Sequence, residues 1–406
     1  MQTGQIANQT DIRFLFVGFV LLLLCPVLSV PFIIYGIYYR KKGSFAALSL
    51  LLGVFAFISA PSGDLYRHYC QYNYFSIRPL SAITWTDISL NGILPYLYWS
   101  MSHLNISFSY LRFFELSTGF YLLCCIFNYM IDSSEGKYSN NDIFIRFVIL
   151  FLFFDFLYTT MGVKFGFALC TYLYSMHMII NRKNRIVGCI FFIFTCIWHS
   201  SFIFTGSLVY AIYILKPNKN TAIYLCSILA IILPIIISLI GYFLFGRRFD
   251  FYFSGKADDV TSYHAMTTIG FVLYILPKLT IIPFALILIK KYNKESRWCR
   301  IALGWFMLSI IFITNAVTFY RFWWAFMTIG IFFLLDMEKL SVCFSKYQIR
   351  NLFVCGLLFT ALNMIVYHNE IIYSQYYRSL YPIPLVMSSD YSKTWVYSHI
   401  KHDGDF

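Results

Sequence analysis

Apolar stretches long enough to cross a lipid bilayer recur along the whole chain, and charged residues are gathered in the segments between them. Hydrophobic residues make up 59% of the 406 residues, and charged residues only 12%. A soluble globule of this size needs more polar surface than such a composition provides, whereas a bilayer suits helices, which satisfy their own backbone hydrogen bonds. The sequence therefore predicts an all-α integral membrane protein, with residues 1–406 forming a single polytopic domain.

About 12 of these stretches (roughly 11–13) are predicted to be transmembrane helices, although several, such as 186–199, are shorter than the roughly 20 residues that a bilayer requires. They lie approximately at 14–39, 45–60, 108–131, 143–159, 162–180, 186–199, 200–216, 221–245, 263–289, 301–316, 319–336 and 351–368. The segment 61–107 lies between the second and third spans and contains an apolar stretch that is too short to cross. This stretch predicts a re-entrant or interfacial helix on the outer face.

Basic residues set the predicted orientation of the chain. The formal net charge is +13, and clusters such as Arg40–Lys42 and Lys290–Arg300 follow alternate spans. Because cytoplasmic loops carry an excess of Lys and Arg, these clusters place one face in the cytoplasm and both termini outside. The outer face then carries the loop at 61–107, a second loop at 246–262 and a tail at 369–406. The positive charge is thus explained by the bilayer, and no nucleic-acid partner is predicted.

Charged side chains inside or beside the spans converge on the predicted outer face. Such charges are costly in lipid, which makes them candidates for function. Basic side chains there would bind a phosphate or pyrophosphate, and carboxylates or an imidazole would transfer protons. The candidate binding residues are Arg67, Arg112, Lys164, Arg321, Tyr69 and Asn315, and the candidate proton-transfer residues are Asp64, Glu115, Asp155 and His199.

Structural roles are the alternatives for several of these residues. Arg112 and Glu115 lie three positions apart on one helical face and could neutralise each other. Asp155 could cap a helix or pair with Lys164 across a tight turn. His199 could be a hydrogen-bonded packing histidine. The sequence alone leaves these alternatives open.

No metal or cofactor site is predicted. The eleven cysteines include no pair with CxxC spacing, and most lie inside the predicted spans, where small buried residues are expected. Neither a phosphate-binding glycine loop nor a metalloprotease HExxH motif is present in the sequence.

Three local patterns carry a resemblance to a known family. They are PSGDLYRHY at 61–69, the pair GVKFGFA at 162–168 and WHSS at 198–201, and the stretch 315–324 around Arg321. Together they resemble the EpsG-like polysaccharide polymerases, a family that includes many Wzy-type O-antigen polymerases of Gram-negative bacteria. The family usually has Arg followed by Gln where this chain has Lys164 and Phe165, so a charge is kept but the guanidinium fork is not.

The resemblance implies a metal-independent glycosyltransferase without a cofactor, with a helical bundle similar to the C-type membrane enzymes. Its implied donor and acceptor are undecaprenyl-pyrophosphate-linked oligosaccharide repeat units, joined at the periplasmic face of the bacterial inner membrane into O-antigen or a related glycan. A chain-length regulator of the same pathway is a candidate partner. In this scheme the leaving pyrophosphate would be held by Arg321, Arg67 and Lys164, and the acceptor proton taken by His199 or by Asp64, Glu115 or Asp155.

Three other functions compete with this one. A transporter or flippase of lipid-linked oligosaccharide would place polar groups near the membrane midplane in two matching halves, whereas the charges here crowd one face. A membrane O-acyltransferase acting on surface glycan would need a donor entering from the cytoplasm and a histidine that activates a hydroxyl. A purely structural membrane subunit is the third, because intramembrane charge indicates function without proving it.

Overall fold

The computed structural model is helical throughout the part of the chain that it describes. It covers residues 16–400, apart from a long gap at 233–267 and shorter gaps at 42, 86, 89–91, 135–136, 182–183, 222–223, 225–227, 229–230, 314–315, 341 and 343. Within the covered residues no β-strand is present, which confirms the all-α prediction there. The predicted outer loop at 246–262 and the candidate residue Asn315 lie outside the described residues.

The described helices follow one another with short connections. In chain order they are α1 (Val30–Tyr38), α2 (Ser44–Phe57), α3 (Asp64–Ser76), α4 (Leu94–His103), α5 (Phe108–Asp132), α6 (Asn140–Phe153), α7 (Phe156–Met161), α8 (Val163–Ile180), α9 (Arg185–Trp198), α10 (Phe202–Leu215), α11 (Thr268–Leu279), α12 (Ile282–Lys291), α13 (Arg297–Ile311), α14 (Ala316–Lys339), α15 (Lys346–Val366), α16 (His368–Tyr373), α17 (Ile383–Met387) and α18 (Lys393–His399).

Three of the described helical segments are long and apolar enough to cross a membrane: Phe108–Asp132, Thr318–Lys339 and Lys346–Val366. The apolar segments Ser44–Phe57 and Phe202–Leu215 are shorter than the roughly 20 residues of a straight span. By these criteria the described residues indicate a membrane protein, and the predicted count of about 12 spans is not confirmed.

Three predicted spans are interrupted in the described part of the chain. The span at 14–39 breaks into a helix at 16–24 and α1, separated by a 3-10 turn at Pro26–Ser29, because proline has no N–H with which to continue the helix. The span at 143–159 breaks at Asp155, whose φ of +50° is left-handed. The span at 263–289 breaks between α11 and α12, just after Pro277.

The described chain divides into two compact units. Unit 1 contains residues 1–145, 155–203 and 367–406, and unit 2 contains residues 146–154 and 204–366. In unit 1 the main packing pairs are α2 with α5, α8 with α9, and α5 with α8. The α2–α5 pair is closely packed because Gly53 lets α2 approach the Phe113 and Ser117 side chains, which a Cβ there would meet at 2.9 Å.

The segment at 61–107 is mostly helical where it is described. The short apolar stretch predicted to be an interfacial helix is helical, as α4, and α3 adds a helix that the sequence did not predict. The segment is anchored to the end of α9 by a hydrogen bond from the Ile93 N–H to the Ile197 carbonyl oxygen, 3.1 Å long. Gly92 permits this approach, because its φ is +59° and a Cβ would lie 2.1 Å from the same carbonyl oxygen.

The C-terminal tail is folded against the rest of unit 1. Val386 of α17 packs with Val54, Phe57 and Ile58 at the end of α2. The Tyr391 hydroxyl donates to the Ile58 carbonyl oxygen at 2.9 Å. The tail therefore forms part of the core at this end of unit 1.

Unit 2 is built mainly on α13 and α14, the most extensively paired helices in the described chain. The indole rings of Trp298, Trp305 and Trp324 are fully buried within it. Arg146 and Glu338 form a buried ion pair there, with 2.7 Å between Nη2 and Oε1.

Candidate functional site

Seven of the predicted site residues gather at one end of unit 1. This end is formed by the carboxyl ends of α2 and α9 and the amino ends of α5 and α8, which antiparallel neighbours bring together. The members are Asp64, Arg67, Arg112, Glu115, Asp155, Lys164 and His199. We call this group the polar end of unit 1.

The amino end of α3 presents a charged pair. Gly63 precedes the helix with φ +56° and ψ −133°, a conformation that only glycine adopts readily, and this lets α3 begin directly after α2. Asp64 then lies in the first turn, where the helix dipole favours a carboxylate. Arg67 forms an ion pair with Asp64, and the two side chains are 45% and 29% exposed. These two side chains are more accessible than the buried charges of the polar end, namely Arg112, Glu115, Asp155 and Lys164.

His68 is a buried neighbour of this pair that the sequence analysis did not single out. Its side chain is inaccessible, and its Nδ1 is 2.8 Å from the Tyr98 hydroxyl on α4. Its Nε2 lies 3.8 Å from the Asp64 carboxylate and makes no hydrogen bond to any described residue. The signal was present in the sequence, since His68 follows Asp64 by four positions and so lies on the same face of a helix.

Burial lowers the pKa of His68 well below its usual value of 6.5, and the positive charge of Lys164 lowers it further. Asp64 opposes this shift, and Arg67 reinforces it. The imidazole is therefore neutral at pH 7, so it can accept a proton or a hydrogen bond but adds no charge to the site.

The lowered pKa of His68 predicts that stability falls in mild acid. Below about pH 6.5 the unfolded chain binds a proton that the folded protein does not, so stability decreases by up to about 1.4 kcal/mol per pH unit. Thermal unfolding of the purified protein at pH 7.5 and 5.5 measures this effect. His68→Gln is expected to reduce the difference, whereas His103→Gln, an exposed control on α4, is expected to keep it. An unchanged difference in His68→Gln would contradict the assignment.

Glu115 and Lys164 bring opposite charges into the interior of the polar end. Glu115 is 5% exposed, and Lys164 is 8% exposed at the second position of α8. The Trp198 indole N–H donates to the Glu115 carboxylate at 3.1 Å. Lys164 interacts electrostatically with both Glu115 and His68, which lie on different helices. Lys164 is therefore the charge that links α3, α5 and α8.

Glu115 and Arg112 line a small internal cavity with Thr159 and Thr160 of α7. Its volume is about 10 Å³, close to what one water molecule requires. A larger ligand would therefore bind outside this cavity, nearer to the exposed Asp64 and Arg67.

Arg112 hydrogen-bonds protein groups in this structure. Its guanidinium donates to the Ser59 carbonyl oxygen at 2.6 Å, to the Phe57 carbonyl oxygen at 3.2 Å and to the Ser109 hydroxyl. Phe57 is the last residue of α2 and Ser59 lies two positions beyond it, where the helix has no donors of its own for these carbonyls. No ion pair with Glu115 is formed within the described chain, so mutual neutralisation at hydrogen-bond distance is not observed. Arg112 acts as a helix cap here.

Asp155 and His199 both lie at helix ends. The Asp155 carboxylate accepts from the Tyr158 N–H at 3.2 Å and caps α7, as one of the two structural alternatives predicted. His199 follows α9, and its Nδ1 is 2.8 Å from the Ser201 hydroxyl. The imidazole of His199 is half-buried and packs edge-on against Phe165.

The remaining binding candidates are placed differently. Tyr69 is 5% exposed and packs edge-on against Phe108, with ring centroids 6.0 Å apart, so little of its ring is available for stacking on a sugar. Arg321 is half-buried on α14 and belongs to unit 2. The structure therefore brings Lys164 and Glu115 together with the Asp64–Arg67 pair, while the predicted contribution of Arg321 stays a prediction.

Comparisons with known proteins add no assignment to this geometry. No protein-family model, curated protein or solved structure matches the chain. Among the described residues, no group of three His, Cys, Asp or Glu side chains is placed to hold a metal ion. The site is therefore interpreted from its own residues.

Proposed function

We propose that this chain is a polysaccharide polymerase of the bacterial inner membrane. It would act as a glycosyltransferase at the periplasmic face and join undecaprenyl-pyrophosphate-linked repeat units into an O-antigen or related surface glycan. The proposed protein has about 12 spans and both termini in the periplasm. The resemblance of segments 61–69, 162–168 and 198–201 to the EpsG-like polymerases supports this proposal.

The observation that carries the proposal is the interaction of Lys164 with both His68 and Glu115 at the polar end of unit 1. The two helices that begin in segments 61–69 and 162–168, which carry the family resemblance, also contact each other. A cation is what transfer from a pyrophosphate donor requires, since negative charge develops on the leaving group.

In the proposed reaction, an acceptor hydroxyl oxygen bonds to the anomeric carbon of the donor sugar. The bond from that carbon to the pyrophosphate oxygen breaks, and the leaving pyrophosphate keeps the electron pair. Lys164 and Arg67 stabilise its charge. A general base takes the hydroxyl proton, and Asp64 or His199 fits this role best, because Glu115 and Asp155 are both 5% exposed.

The test is gel analysis of surface glycan in a strain deleted for this gene. We expect the deletion to leave a single repeat unit in place of a ladder, and wild-type protein to restore the ladder. We expect His199→Ala and Arg321→Ala to restore it poorly at matched membrane levels.

The deletion also separates the competing functions. A transporter of lipid-linked oligosaccharide would leave no repeat unit on the surface, because the unit would stay in the cytoplasm. An O-acyltransferase would leave a ladder of normal length that lacks acyl groups. Either pattern, or an unchanged ladder, would overturn the polymerase proposal.

A further inference from the structure

Unit 2 contains an open cavity of about 580 Å³, which the proposed reaction does not use. It is lined by the segment after α10, the end of α12 with the segment that follows it, and the segment after α14. The residues that line it are Asn218, Lys219, Lys291, Tyr292, Asn293, Lys294 and Val342.

The lining of this cavity is basic. It contains three lysines and no carboxylate, while the nearby Glu295 is engaged with Lys216 at 4.0 Å. Within the described chain, Lys219 and Lys294 form no ion pair with an acidic residue. Three ammonium groups around one concavity whose lining includes no carboxylate create a positive potential that attracts an anion.

Several side chains that line the cavity are partly buried and make specific contacts, unlike those of a solvated basic turn. Lys219 and Lys291 are only half-exposed, and the Lys291 ammonium lies 4.6 Å from the centre of the Phe344 ring. The Tyr292 hydroxyl donates to the Pro217 carbonyl oxygen at 2.9 Å, which joins the two connecting segments. The amide groups of Asn218 and Asn293 add neutral hydrogen-bond donors.

Exposed apolar side chains lie a few residues before the lining residues in the sequence. Ile214 and Leu215 in the last turn of α10 are 56% and 75% exposed, and Leu340 after α14 is 43% exposed. Such side chains at the end of an apolar helix suit contact with acyl chains, and the adjacent lysines then lie at headgroup level. Basic pockets between membrane helices are known to hold phosphate-containing headgroups.

We propose that this cavity binds a phosphate-bearing anion, supplied either by an anionic phospholipid of the membrane or by a soluble phosphate. Lys219, Lys291 and Lys294 provide the charge. The rest of the lining consists of Asn218, Asn293, Tyr292 and Val342. The adjacent apolar side chains favour the lipid source.

The experiment measures binding of phosphatidylglycerol to the purified full-length protein in detergent, by native mass spectrometry across a titration. The test variant is K219Q/K291Q/K294Q. The control variant is K290Q/K346Q/R350Q, which removes the same charge from exposed positions of unit 2 outside the cavity. We expect the affinity to fall by about tenfold or more in the test variant and by less than about twofold in the control.

Equal losses in the two variants would overturn the proposal, because binding would then follow net charge alone. Tight binding of phosphatidylcholine with the same chains would overturn it as well. Added inorganic phosphate separates the two sources: displacement of the lipid at millimolar concentration supports a site for soluble phosphate, and no displacement supports a headgroup site. If the triple variant does not remain monodisperse, Lys294→Glu, a change at an exposed residue, carries the same comparison.

Discussion

Replacing Lys164 with alanine or methionine is expected to abolish the glycan ladder while the protein remains in the membrane. Lys164 is 8% exposed and interacts electrostatically with Glu115 and His68, so its charge acts in surroundings of low dielectric constant, where it has a large effect. Removing one group that stabilises a developing charge typically costs about 10²- to 10³-fold in rate. Gel analysis of the complemented deletion strain, with quantified membrane levels, measures this loss.

Two further variants separate charge from packing. Lys164→Arg keeps the charge and supplies the guanidinium that the similar family usually has, so we expect it to retain the ladder. Arg185→Ala removes an exposed basic residue at the opposite end of α9 and should leave the ladder unchanged. A full ladder in Lys164→Met would show that the charge is dispensable, and Lys164 would then have only a structural role.

Replacing Glu338 with alanine is expected to destabilise unit 2 by about 3–5 kcal/mol, because it removes the carboxylate that pairs with the buried Arg146 guanidinium. The side chains of Arg146 and Glu338 are 9% and 6% exposed, and 2.7 Å separates their charged atoms. Denaturant titration of the purified protein, followed by tryptophan fluorescence, measures the loss.

The matched control is Glu295→Ala in the same unit, which removes one partner of an exposed pair with Lys216. Exposed pairs contribute only about 0–1 kcal/mol, so a small change is expected. Arg146→Met combined with Glu338→Leu should recover most of the stability, since neither charge is then buried alone. A loss in Glu338→Ala no larger than that in Glu295→Ala would contradict the proposed burial cost.

Apolar runs predicted most of the described helices, because a stretch that is excluded from water must satisfy its backbone internally. The breaks were harder to predict. Pro26 and Pro277 were visible in the sequence, but the left-handed conformation of Asp155 depends on contacts around α7 that a linear pattern does not reveal. Helix α3 was missed because its polar, tyrosine-rich sequence has no apolar periodicity, and its start depends on the backbone conformation of Gly63.

The sequence named candidate residues for the site but left their individual roles open. Charge bias between spans predicted that Glu115 and Lys164 would lie at the same end of the helices, and the two side chains interact electrostatically in the structure. The partners of Arg112 could not be inferred, since they are backbone carbonyls near the end of α2, more than 50 positions earlier in the chain. His68 was missed because a buried imidazole resembles any other core residue until its neighbours are known.

The tail that packs against α2 has a consequence for biosynthesis. The Tyr391 hydroxyl and the Ile58 carbonyl oxygen that it contacts are 333 positions apart, and Val386 fills the core beside the same helix end. During translation, α2 and α5 leave the ribosome long before these partners exist, and unit 2 is made in between. Helix α2 therefore stays incompletely packed until the segment that contains Val386 and Tyr391 has been synthesised.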